Sequence, residues 1–85
     1  MTTETTGRTP DQEQRIARAR ARLRAAELRV HACQNDAQVA GYNRQALTPL
    51  YAGQEAVCAG KAAEGAAYAA QTRAQADLVE AEAGI

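Results

Sequence analysis

From Ile16 to Ala40, apolar and polar positions alternate with the period of a helix. Ile16, Leu23, Val30 and Ala37 recur every seven residues, and Ala19, Ala26, Cys33 and Ala40 recur in the same register three residues later. This is an a/d seam with large residues at a and small ones at d. Rotated roughly half a turn, at about 100° per residue, Ala17, Ala21, Ala25, Leu28, Ala32 and Val39 form a second, weaker apolar stripe. Two polar bands separate the stripes: Arg15, Arg18, Arg22, Arg29 and Asp36 on one side, and Arg20, Arg24, Glu27, His31 and Gln38 on the other. A helix with apolar residues on two sides has more to bury than a single neighbour can cover.

The second half of the chain repeats this two-sided character. Leu50, Val57, Tyr68 and Val79 lie within about 20° of one line down a helix, interleaved with Gln54, Lys61 and Gln75. On the opposite side Ala52, Ala56, Ala59, Ala63, Ala66 and Ala70 follow a strict 4-3-4-3-4 spacing, which Ala74 and Ala81 extend. The large stripe and Ile16, Leu23 and Val30 form the expected core: Ile16, Leu23, Val30, Leu50, Val57 and Tyr68 close one helix on the other. The alanine strip, together with Ala21, Leu28, Ala32 and Val39 of the first helix, is then the surface expected to meet another protein.

Local punctuation fixes where these helices start and stop. Thr9-Pro10-Asp11-Gln12 offers Thr9 as N-cap, Pro10 at the first helical position, and Gln12 to complete a capping box. Gly41 can take the left-handed conformation that closes a helix; Thr48-Pro49 repeats the start signal and Gly84 the stop. The expected organisation is a polar tail at 1–9, a helix at 10–40, a loop at 41–48 and a helix at 49–83. At 1.5 Å per residue the rods are about 46 and 52 Å long, and matched rods joined by a short loop make an antiparallel hairpin.

Composition sharpens that picture. Leu, Ile and Val together number eleven in 85 residues, and Phe and Trp are absent. So few large apolar residues would hint at disorder, but disorder also favours high net charge, and here the formal charge is zero. Alanine, with 22 copies, resolves the conflict, because it loses no side-chain entropy in a helix. Gly53, Gly60 and Gly65 run the other way, each costing about 1 kcal/mol in a helix interior relative to Ala. Close approach of another backbone is the expected offset. A two-helix hairpin with so small a core is marginal alone. The fold expected is therefore all-α, an antiparallel hairpin of long Ala-rich helices packing in an oligomer or larger assembly.

The charges limit the alternatives. Glu55, Lys61, Glu64 and Arg73 interrupt the small-residue helix, leaving no run of about 18 uncharged apolar residues for a membrane span. The opening "MTTETTGR" lacks the apolar segment of a signal peptide, so a cytoplasmic origin is expected. If the loop is at 41–48, Cys33 and Cys58 stand level across the hairpin and a disulfide is geometrically open. Two reduced, buried cysteines are favoured in that compartment. His31 and Cys33 sit about 200° apart on a helix and cannot share an ion, so neither a metal nor another cofactor is expected. No nucleophile, base and orienting group converge, which argues against an enzyme.

Residues 15–29 hold six Arg and one Glu, whereas 74–85 hold Asp77, Glu80 and Glu82. In a matched hairpin the acidic end would lie beside Arg15 and Arg18 and neutralise them. The rival reading makes Arg15, Arg18, Arg22 and Arg29 phosphate contacts to nucleic acid. Zero net charge, the splitting of the arginines between two bands and the lack of any aromatic residue before Tyr42 argue against that. The function expected is non-enzymatic: a structural or assembly protein that binds protein through Ala-rich helical faces, such as a small subunit of a virus-like particle. The alternatives are a regulatory adaptor or inhibitor with one protein partner and an arginine-helix nucleic-acid binder.

Overall fold

The computed structural model describes residues 7–85, so the first six positions of the polar tail lie outside the described residues. Two helices, α1 (Pro10–Ala46) and α2 (Glu55–Glu82), pack antiparallel; between them lies one 3-10 turn, Pro49–Tyr51. No strand occurs among the described residues. The hairpin is a rod of 67 × 20 × 16 Å.

α1 opens on the capping box. The Gln12 backbone N–H donates to Thr9 Oγ1 at 3.1 Å, and the Thr9 N–H donates to Gln12 Oε1 at 2.8 Å. Two of the donors orphaned at a helix start are satisfied in this way. α2 ends on Gly84, whose φ of 78° puts it in the left-handed region. Its N–H donates to the Ala81 carbonyl at 3.1 Å, and that of Ile85 to the Glu80 carbonyl at 2.9 Å, the paired bonds of a Schellman closure.

The turn lies further along the chain than Gly41 and Thr48-Pro49 predict. Gly41 stays helical and α1 runs on to Ala46. A glycine permits the left-handed conformation without requiring it, and the residues after Gly41 sustain the helix. The Thr48 hydroxyl donates back to the Arg44 carbonyl at 2.9 Å, closing α1 instead of capping a new helix. Pro49 then starts only the 3-10 turn. Gly53, with φ of 89°, breaks the backbone direction before α2 begins at Glu55. Gly53 is thus a turn residue, and its place in a helix interior is corrected.

Moving the turn resets every level across the hairpin. Cys58, in the first turn of α2, lies against Gln45 in the last turn of α1, with the thiol 4.0 Å from Gln45 Oε1. Near the other end Glu80 meets Arg29. With 37 residues in α1 and 28 in α2, the excess length falls at the start of α1, whose first turns stand clear of α2.

Candidate protein-binding surfaces

The seam between the helices is built from the smaller side chains. On α1 it comprises Ala25, Leu28 and Ala32, all buried, flanked by half-buried Ala21, Asn35 and Val39. In the heptad register these are the c and f positions. On α2 it comprises Cys58, Ala62, Ala69, Thr72 and Ala76, with Gly65 and Val79 half-buried beside them. Thr72 is the one polar residue buried among those described, and its hydroxyl donates to the Tyr68 carbonyl at 2.9 Å. No buried side-chain nitrogen or oxygen among the described residues lacks a partner. Leu28, only 7% exposed, is the one large side chain in the seam, gathered with Ala25, Ala76 and the edge of Val79.

The expected closure face is therefore corrected. Ile16 is half-buried, whereas Leu23 (61% exposed), Val30 (56%), Leu50, Val57 and Tyr68 all face outward. Ala21, Leu28, Ala32 and Val39, expected to meet a partner, instead close the hairpin. The reason is steric. A wholly alanine, glycine, cysteine and threonine surface on α2 accepts a close neighbour, and the c/f stripe of α1 can approach it more nearly than a row of Ile, Leu and Val. The α2 seam residues 58, 62, 65, 69, 72 and 76 share the 4-3-4-3-4 spacing of the alanine strip, so spacing alone does not choose between the two rows. The border charges do: Arg73, Asp77 and Glu80 flank this row and match opposite charges on α1.

Gly65 shows how close the approach is. A Cβ built there would lie 2.8 Å from Val39 Cγ2, inside any real contact distance. Gly60 faces open space, with nothing within 4 Å of its hypothetical Cβ. Of three glycines expected to serve close approach, Gly65 alone does so.

Ion pairs close the edges of the seam. The Arg29 guanidinium donates to Asp77 Oδ1 at 3.0 Å and to Glu80 Oε1 at 2.5 Å, and Arg73 pairs with Asp36. The hydrogen bonds from Arg29 hold the Glu80 carboxyl below its ordinary range, and those from Arg73 do the same for Asp36. Both guanidinium groups are shifted upward in return. Glu55 is lowered by backbone N–H groups, its own and that of Gly53, at the start of α2. The acidic end of α2 thus pairs with Arg29, correcting the expected pairing with Arg15 and Arg18. Among the described residues no ion pair engages Arg15, Arg18, Arg20 or Arg22.

The same shift of the turn separates the cysteines. Both thiols are free, with Cys58 buried and Cys33 exposed. Cys58 is level with Gln45, twelve residues beyond Cys33 along α1, or about 18 Å at helical rise, far past the span of a disulfide. The pairing is excluded within one chain, and the burial expected for Cys33 is corrected.

What remains outside is the a/d seam of α1 and the alanine strip of α2. Leu23, Val30 and Cys33 mark the first, on the side of α1 turned away from α2. Ala56, Ala59, Ala63, Ala66 and Ala70 are all exposed on the second, whereas Ala52, expected to begin the strip, is exposed in the turn before α2. A third apolar area caps the hairpin tip at Leu47 and Leu50. The surface clefts are shallow; one, between Val39, Tyr42, Lys61, Gly65 and Tyr68, holds the Lys61 ammonium 5.8 Å from the Tyr42 ring centre. No group of three or more His, Cys, Asp or Glu among the described residues is placed to hold a metal ion, and none of their helices is long and apolar enough to cross a membrane. Compared with protein-family models the chain matches none, and comparisons with curated proteins and with solved structures find no match either.

Proposed function

We propose that this protein is a non-enzymatic structural or assembly subunit that works by binding protein through its outward helical faces. One observation carries the reading: the hairpin buries one large apolar side chain, Leu28, in its own seam, with Val39 and Val79 half-buried at its edges, and turns Leu23, Val30, Val57, Tyr68 and Leu78 outward. A small scaffold with that distribution gains more from covering its outside than from its private core. The alanine strip on α2 offers a second face on which another helix can lie closely. A particle or other large complex built from many copies is the setting that uses both faces at once.

Sedimentation equilibrium of the purified chain tests this, alongside an Ala59→Leu, Ala63→Leu variant that overfills the strip and a Leu23→Asp, Val30→Asp variant that charges the α1 seam. A defined oligomer dissociated by either variant supports the assembly reading and says which face carries it. A folded monomer at every concentration refutes self-assembly and leaves the adaptor role. The arginines on the protruding start of α1 that form no ion pair among the described residues support a second reading, nucleic-acid binding. That reading requires affinity for DNA or RNA that falls steeply with salt and weakens in Arg18→Gln, Arg22→Gln.

A further inference from the structure

We infer that the outward a/d seam of α1 pairs with the same seam of a second copy of this chain, running antiparallel about a two-fold axis at the level of residue 28, between Ala26 and Val30. This rests on the assembly reading above and names its partner and geometry. The seam lies on the side of α1 away from α2, so a second hairpin reaches it without disturbing the first.

Size complementarity gives the direction. In an antiparallel pair each a position faces a d position, and in a parallel pair a faces a and d faces d. With the axis at residue 28, Ile16 meets Ala40 of the second copy, Leu23 meets Cys33, and Val30 meets Ala26. Ala19 and Ala37 fill the remaining layers. Large residues face small ones in six of the eight layers along 16–40, which keeps the helix axes evenly spaced except at the two Ala19–Ala37 layers. A parallel pair would stack Ile on Ile, Leu on Leu and Val on Val between thin Ala layers, so contact at one layer would open a gap at the next.

Charge gives the same direction independently. Residues 15–24 hold five Arg and no acid, and residues 32–41 hold Asp36 and no Lys or Arg. A parallel pair sets the five arginines beside their own copies. The antiparallel pair sets them beside Asp36, Gln34 and Gln38 of the partner, with Arg20 at the level of Asp36 and Arg22 at the level of Gln34. Repulsion against the wrong arrangement is as much a part of specificity as attraction in the right one. The pairing also covers the protruding turns of α1, which α2 does not reach.

The exposed thiol supplies the test. Full-length chain carrying Cys58→Ala, so that Cys33 is the remaining thiol, is compared with the same chain carrying Leu23→Cys as well. Both are oxidised mildly and read by non-reducing electrophoresis, with sedimentation equilibrium of the reduced samples. In the antiparallel register position 23 faces Cys33 of the partner, whereas the two Cys33 residues lie about 15 Å apart along the axis. The expected result is near-complete covalent dimer with Leu23→Cys and at least tenfold less without it. Efficient linking through Cys33 alone overturns the antiparallel register. An oligomer that fails to cross-link through position 23 overturns the use of this seam while leaving assembly standing, and a monomer throughout overturns both.

Discussion

The two long faces of α1 invert the usual rule of what goes inside. The face packed on α2 is made of Ala25, Leu28 and Ala32, and the face turned to solvent carries Leu23 and Val30, with half-buried Ile16 at its start. Inside, the gain comes from closeness: small residues bring the two backbones together, and at Gly65 no Cβ would fit beside Val39. Outside, the gain comes from area that a neighbour would have to cover. The same heptad periodicity thus serves two kinds of contact, one set by shape and the other by bulk.

The contrast is broken most directly by exchanging bulk between the faces. Ala32→Leu places three extra carbons in a filled seam and is expected to destabilise the hairpin by about 2 kcal/mol. Leu28→Ala, which removes the one large side chain buried in the seam, should cost about 2 kcal/mol or somewhat more. Val30→Ala on the other face should change unfolding of dilute, separated chains by less than about 0.5 kcal/mol. Urea unfolding followed by circular dichroism measures all three. Equal losses on the two faces would refute the assignment of the seam.

A finer comparison uses the glycines. Gly60→Ala meets open space and gains helix propensity, so it should stabilise by up to about 1 kcal/mol. Gly65→Ala gains the same propensity but drives a methyl into Val39, and its net effect should be a loss of about 1 kcal/mol. Adding Val39→Ala to Gly65→Ala should recover part of that loss. Opposite signs for one substitution five residues apart would be difficult to produce unless the helices touch at Gly65 and not at Gly60.

The smallest expected effect lies at the edges. Asp36 and Glu80 are held below their ordinary values by Arg73 and Arg29. Their contribution to stability is therefore complete above the unfolded carboxylate range and is lost as pH falls through the lowered folded values. Thermal midpoints should be flat from neutral pH down to about 5 and decline below about 4. Asp36→Asn with Glu80→Gln should flatten that decline. Asp36 is exposed and Glu80 half-buried, so salt should weaken the effect, most of all at Asp36.

Much of this architecture is legible in the sequence. The capping box at Thr9, the stop at Gly84, the helical character of both segments and their packing together follow from local chemistry and period. The turn is not legible, because Gly41 and Thr48-Pro49 each allow two outcomes and the choice lies in how the helices fit. From that one displacement follow the partner of Arg29, the separation of Cys33 from Cys58 and the place of Gly53. The seam was obscured for a different reason: ranking stripes by apolar size points to Ile, Leu and Val, whereas close helix packing selects for smallness.

The unequal length of the helices also divides α1 in time. Near Ala25, Leu28 and Ala32 a backbone amide can exchange its hydrogen only when the hairpin itself opens. Ala17, Arg18, Ala19 and Arg20 are exposed beyond the end of α2, with little but the capping box to hold their turns. In the separated hairpin their amides exchange by fraying, at a local free-energy cost near zero on the scale of global unfolding. A single unbroken helix thus carries two lifetimes, and the boundary between them falls where α2 stops supporting it.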